Sequence, residues 1–213
     1  MPALPLAAQT TARIVYTFEN PQLQPARYSF TIEESGAGHF TSQPGNAPVD
    51  ASDDVYPAPV DRDIRLDRPL SAELFSYARA HSFFQGRCDN GNSHLAFTGR
   101  KTFSYQGPDG HGSCDFVWAA NPELQRLSDD LGSVALTLEI GRRLDVEVRH
   151  DRLGLDAELE SLEDLVKDRR AAGLSNIAAE LQVIAQDQDV MERARKRALA
   201  LLSKCGTPSS RSN

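Results

Sequence analysis

Phe97-Thr-Gly-Arg-Lys-Thr-Phe-Ser-Tyr-Gln-Gly-Pro-Asp-Gly-His-Gly-Ser-Cys-Asp-Phe-Val-Trp118 decides the fold of this chain. Apolar and polar residues alternate on either side of Gly107-Pro-Asp-Gly110, a run of turn formers, so the stretch reads as a β-hairpin. Closing the turn between Gly107 and Gly110 opposes Cys114 to Phe103 and Phe116 to Lys101. It also lays Trp118 over Gly99. All the large apolar groups then fall on one face, with Leu95, Phe97, Phe103 and Tyr105 in one phase. A slip of one residue would send the aromatic groups of the two strands to opposite faces, so this register is strongly preferred.

Upstream, Arg13-Ile-Val-Tyr-Thr-Phe18 is β-branched and aromatic, and Asn20-Pro21 follows it as a turn. Tyr28, Phe30 and Ile32 alternate with polar residues, and Ser35-Gly-Ala-Gly38 leads into a short strand near residues 39–42. Residues 43–60 have no periodicity, four prolines and Asp50, Asp53 and Asp54, and read as a long polar loop. The EF-hand spacing is missing there. Ile64 and Leu66 mark a fourth strand. A helix over residues 71–84, capped by Ser71, carries Leu74, Phe75 and Ala78 on one face.

After the hairpin the period becomes that of a helix. Asn121 is an N-cap with Pro122 at the first helical position, and Leu124, Leu127, Leu131, Val134 and Leu138 form a stripe. Gly141 interrupts the stripe, and the helix runs to about His150. Leu155, Leu159, Leu162 and Val166 make a second helix closed by Arg169, Arg170 and Gly173, antiparallel to the first across a short connection. Ile177, Leu181 and Ile184 continue helically, and Asp187 or Asp189 caps a last helix. The fold class is therefore α+β, an antiparallel sheet of about six strands with an inserted helix, then a helical hairpin and further helices. Residues 1–11 read as a leader remnant or disordered N-terminus, because Leu6-Ala-Ala-Gln9 resembles the small-residue end of a signal peptide. A β-rich unit spans 12–120, a helical unit packed on or beside it spans 121–205, and 206–213 form a polar tail.

The chain has 213 residues and a formal net charge of −7, which excludes a general nucleic-acid binder. No apolar run is long enough to span a bilayer. Three cysteines are present. Cys88 and Cys114 are expected to form a disulfide, which would close a loop of about 26 residues and contribute about 3.5 kcal/mol in the chain-entropy view. Cys205 is left over. Cys88, His94, His111 and Cys114 together have spacings that suit zinc only if all four converge, and the register sets His94 and Cys114 on opposite faces. Ser113 with His111 and Asp109 or Asp115 is a Ser/His/Asp grouping too local to orient as a triad. Gly107-Pro-Asp-Gly-His-Gly112 lacks the strand-to-helix setting of a phosphate loop.

Three functional classes follow. The first is a non-enzymatic bacterial cell-envelope protein, periplasmic or secreted, that binds a protein or small molecule without catalytic residues, cofactor or metal. The second is a cytosolic scaffold or homodimer built on the C-terminal helices. The third is a hydrolase with a site near His94, His111 and Asp115.

Overall fold

The computed structural model describes residues 11–45, 57–92 and 94–205. The readings of residues 1–10 as a leader, of Asp50, Asp53 and Asp54 as a polar loop, and of 206–213 as a tail lie outside the described residues. Six strands form one antiparallel sheet: β1 (Arg13–Glu19), β2 (Arg27–Glu33), β3 (Ala37–Gln43), β4 (Val60–Arg65), β5 (Arg100–Gly107) and β6 (Gly110–Phe116). Their order across the sheet is β4-β3-β2-β1-β5-β6. Helix α1 (Arg68–Ala80) is inserted between β4 and β5, and α2 (Pro122–His150), α3 (Leu155–Lys167), α4 (Ala178–Gln186) and α5 (Glu192–Lys204) follow β6.

The β5–β6 register is the expected one, with Phe103 opposite Cys114 and Lys101 opposite Phe116. Alternation then places every second residue on the inner face. One inner row crosses five strands as Phe40, Phe30, Tyr16, Phe103 and Cys114. Its rings approach to 4.8 Å (Phe30–Phe40) and 4.7 Å (Tyr16–Phe103). The neighbouring row reads Ser42, Tyr28, Phe18, Lys101 and Phe116. The opposite face carries Thr17, Ser29, Thr31, Thr41, Thr102 and Ser104, none of them buried.

Two details of the hairpin depart from expectation. The strand begins at Arg100, because Gly99 has φ +117°, which breaks extended backbone before it. Leu95 and Phe97 therefore lie outside the sheet and are exposed. The group nearest Gly99 is the ring of Phe18 from β1, which a Cβ there would overlap, rather than Trp118.

Helix α1 is capped by Asp67, whose carboxylate accepts from the Leu70 N–H at 3.0 Å, with Pro69 in the first turn. Ser71 is instead inside the helix and buried, its hydroxyl turned back to the Arg68 carbonyl. The helix stops at Ala80, short of residue 84. Ser82, Phe83 and Phe84 all adopt positive φ (50°, 58° and 66°), a run that costs about 1–2 kcal/mol per residue. The turn drops Phe84 onto Phe103 at 5.1 Å and Phe83 onto Tyr105 at 5.0 Å. Gly110 and Gly112 make this seat possible, since a Cβ on either would collide with Phe83.

Helix α2 starts as expected, with the Asn121 side chain accepting from the Glu123 N–H at 2.8 Å. Leu124, Leu127, Leu131, Val134 and Leu138 are buried, each contributing about 2 kcal/mol from removal of apolar surface. Tyr16 and Ser128 share a hydrogen bond of 2.9 Å in the buried contact between β1 and α2. Thr137, Ile140, Gly141 and Leu144 are buried as well, so α2 is covered around most of its circumference. Arg143 pairs with Glu158 at 2.5 Å across the α2–α3 connection, as in an antiparallel helical hairpin. Arg197 on α5 reaches Asp156, Glu160 and Glu163 on α3. The last helix follows Met191 without a side-chain cap, and Asp187 instead bonds the Asp189 N–H.

Gly141 explains the interruption of the α2 stripe. A Cβ there would overlap the side chain of Ile177, which is fully buried. Glycine to alanine inside a helix ordinarily stabilises by about 1 kcal/mol. Here the sign reverses: Gly141→Ala is expected to destabilise by about 1–3 kcal/mol through overpacking. A urea titration with an unchanged slope and a lowered midpoint would bear this out, and a raised midpoint would contradict it.

Candidate functional site

The four candidate zinc ligands do not assemble. Cys88 and Cys114 are bonded to each other at 2.04 Å, so neither sulfur is open to a metal. His94 and His111 are exposed, the first in the loop before β5 and the second near the start of β6, opposite Gln106. Among the described residues no group of three or more histidine, cysteine or acidic side chains converges as a metal site. The Ser113 grouping is dispersed too. Asp109 is held by Arg79 (2.6 Å) and Tyr105, Asp115 pairs with Arg100 (3.2 Å), and Ser113 faces Ser104 on the outer side. Cys205 is half-buried, and burial pushes its thiol pKa up.

Concave chemistry is found elsewhere, where the second inner row meets α2. A cleft of about 560 Å³ is bounded by Phe18, Tyr28, Lys101 and Trp118 on one side and by α2 from Gln125 to Leu136 on the other. Arg169 and Arg170 close its end. Lys101 is the anomaly: a cation on the core phase of a strand, only 7% exposed, between Phe18 and Phe116. Its ammonium donates to the Val117 carbonyl at 2.8 Å and the Thr98 hydroxyl at 3.2 Å. It also lies 5.5 Å from the centre of the Trp118 ring. Both acceptors are neutral, and burial lowers the amine pKa. Across the cleft, burial raises the carboxyl pKa of Asp129, which accepts from Gln125 at 2.8 Å. Tyr16, beneath them, is pushed up to about 12 by burial, against the opposing Ser128 hydrogen bond.

Thr98 and Trp118, which line the cleft, are backed by a loop that the disulfide ties down. Residues 88–92 and 94–98 run beside 117–120. Asn90 donates to the Trp118 carbonyl at 2.9 Å and Ala120 to the Cys88 carbonyl at 2.7 Å. The Asp89 carboxylate accepts from the Val117 N–H at 2.8 Å, a bond that, with one from Gly91, lowers its pKa. The Trp118 indole donates to the Ala96 carbonyl at 2.8 Å. Loop, disulfide and Lys101 form one hydrogen-bonded unit. The chain matches no known protein-family model, and no curated protein matches it in sequence.

Arg169 reaches the cleft through an unusual backbone. Helix α3 ends at Lys167, and Arg169 has φ +59°. Its N–H bonds the Val166 carbonyl, and that of Arg170 bonds the Leu165 carbonyl. This is a Schellman ending with arginine where glycine is favoured. Gly173, the expected terminator, is also left-handed at φ +72° but opens the next short turn instead. Neither Lys101 nor these arginines is conspicuous as a site in the sequence. The one available signal is a lysine at core parity among aromatic residues.

On the outer face, His39 is clamped between two carboxylates of β4, Asp61 at 3.0 Å and Asp63 at 2.9 Å. With both ring nitrogens donating, the clamp favours the imidazolium, and the Asp63 hydrogen bond first of all raises its pKa.

Arg169→Gly relieves the left-handed strain and is expected to raise stability by about 1 kcal/mol, read as a higher urea midpoint. For His39 the raised folded pKa means the clamp stabilises fully below the unfolded-state pKa and is lost as pH rises through the folded value. The stability gap between the parent and His39→Gln should therefore shrink with rising pH, and Asp63→Asn should lower the His39 titration midpoint seen by NMR.

Proposed function

We propose that this chain is a non-enzymatic binding protein of an oxidising, extracytoplasmic compartment, periplasmic or secreted, and that its ligand is a small molecule held in the cleft around Lys101. One observation carries the reading: the Cys88–Cys114 disulfide anchors the loop whose Asn90 and Ala96 hold Trp118 at the cleft. The position of Trp118 thus leans on an oxidised bridge, and disulfides persist where the surroundings are oxidising. The cleft also has the composition expected of a small-molecule site, aromatic walls with a few convergent polar groups and shifted pKa values. A hydrolase built on His94, His111 and Asp115 has no support in the geometry, since the three side chains are exposed and Asp115 is engaged by Arg100. No helix among the described residues is long and apolar enough to cross a membrane.

Thiol titration of the unreduced, denatured protein tests the address. One reactive thiol per chain, Cys205, is the expected count. A count of three in protein isolated from its native compartment would overturn the extracytoplasmic reading.

A further inference from the structure

We infer that the cleft takes a small organic carboxylate with a flat, largely apolar body, its charged head against Lys101 and its body against Trp118 and Tyr28. The inference rests on the cleft being the ligand site and adds the charge and shape of what enters it.

The first support is the charge of the lining. Lys101, Arg169 and Arg170 line the cleft, and none has a carboxylate within ion-pair distance among the described residues. Elsewhere Arg27, Arg62, Arg79, Arg126, Arg142 and Arg143 each hold a carboxylate at 2.5–2.7 Å. Two acidic residues share the lining: Asp130 is drawn to Arg126 at 2.9 Å, while Asp129, bonded to the neutral Gln125 amide, acts on Lys101 and offsets one of the three cations. The cleft thus keeps a positive excess in a chain whose net charge is −7. A buried ammonium whose hydrogen-bond acceptors are all neutral, with its nearest carboxylate beyond ion-pair distance, is costly, and an anion delivered by the ligand reduces that cost.

The second support is the backbone of Arg169. Left-handed strain in a residue other than glycine, located at a cleft, is a recognised mark of function. A glycine would end α3 with less strain, and what arginine adds is a guanidinium at the cleft.

The third support is the lining itself, which narrows the class of anion. Residues from Ser128 to Leu136 lie inside α2, where backbone N–H groups are already bonded within the helix. The cluster of free amides that a phosphate favours is therefore missing from that wall. Lys101 instead offers a single ammonium with two of its three donors engaged. That suits one carboxylate. The volume fits a small molecule and the rings of Phe18, Tyr28 and Trp118 fit a planar body.

Trp118 is the only tryptophan of the chain, so its fluorescence reports the cleft directly. Three probes of one shape and different charge serve: phenylacetate, phenylacetamide and phenethylamine. Phenylacetate is expected to perturb Trp118 saturably and to bind about tenfold tighter than the amide, with the amine weakest. Raising the salt concentration about tenfold should weaken phenylacetate severalfold and leave the amide unchanged. Lys101→Met, checked for folding by circular dichroism, should remove the preference for the acid, and Arg169→Gly should reduce it. Amide or amine binding as tightly as the acid overturns the carboxylate inference while the cleft remains a ligand site. Silence of Trp118 toward all three up to about 10 mM, a range suited to ligands this small, overturns both readings. If Lys101→Met fails to fold, the salt dependence on the parent protein decides alone.

Discussion

The structure depends on one aromatic row. Phe40, Phe30, Tyr16 and Phe103 lie side by side across β3, β2, β1 and β5, and the row ends at Cys114 on β6. Because side chains alternate with period two, this row settles at once which face of all five strands is buried. It also settles where α2 must lie, since only a leucine-rich helix can cover so large an apolar surface. The hydrogen bond between Tyr16 and Ser128 then satisfies the one polar group that the row buries beneath that helix. Phe84 completes the layer at the β5 end, at the expense of three residues in left-handed geometry.

Against this background, the adjoining row breaks the rule that local pattern and global fold agree. Tyr28, Phe18 and Phe116 continue the apolar face, but Lys101 stands among them. Such departures cluster where a protein does something besides fold. Here the departure coincides with a gap between sheet and helix, with a strained arginine, and with a loop held by a disulfide. Each alone has a structural explanation. Their coincidence within one cleft is what singles the place out.

How much of this was legible in the sequence follows from how local each determinant is. The register of β5 and β6 could be read because a two-residue turn and strict alternation leave one consistent pairing. The start of α2 could be read from Asn121 and Pro122, and the sulfur pairing from its consistency with that register. Other boundaries could not. Asp67 outcompeted Ser71 as a cap because tertiary packing draws Ser71 inward, and Arg169 ended α3 where the glycine rule pointed to Gly173. Leu95 and Phe97 kept the parity of the strand without its geometry, since Gly99 turns the chain before it can pair. The cleft was the least legible feature. Its walls come from residues as far apart as Tyr16 and Arg170, and nothing in a local pattern announces their meeting.

The bond between residues 88 and 114 has a mechanical meaning as well. It links two points of the chain that enclose the loop, all of β5 and most of β6. Tension applied at the two ends of the protein would pass through the sulfur bridge and bypass everything between. Thr98, Lys101 and the turn at Pro108–Asp109 would sit outside the load path, and a chain pulled taut would come up short by the length of that enclosed segment. Pulled from its two ends, the protein would thus lose its helices and first strands while the 88–114 segment stayed a closed ring.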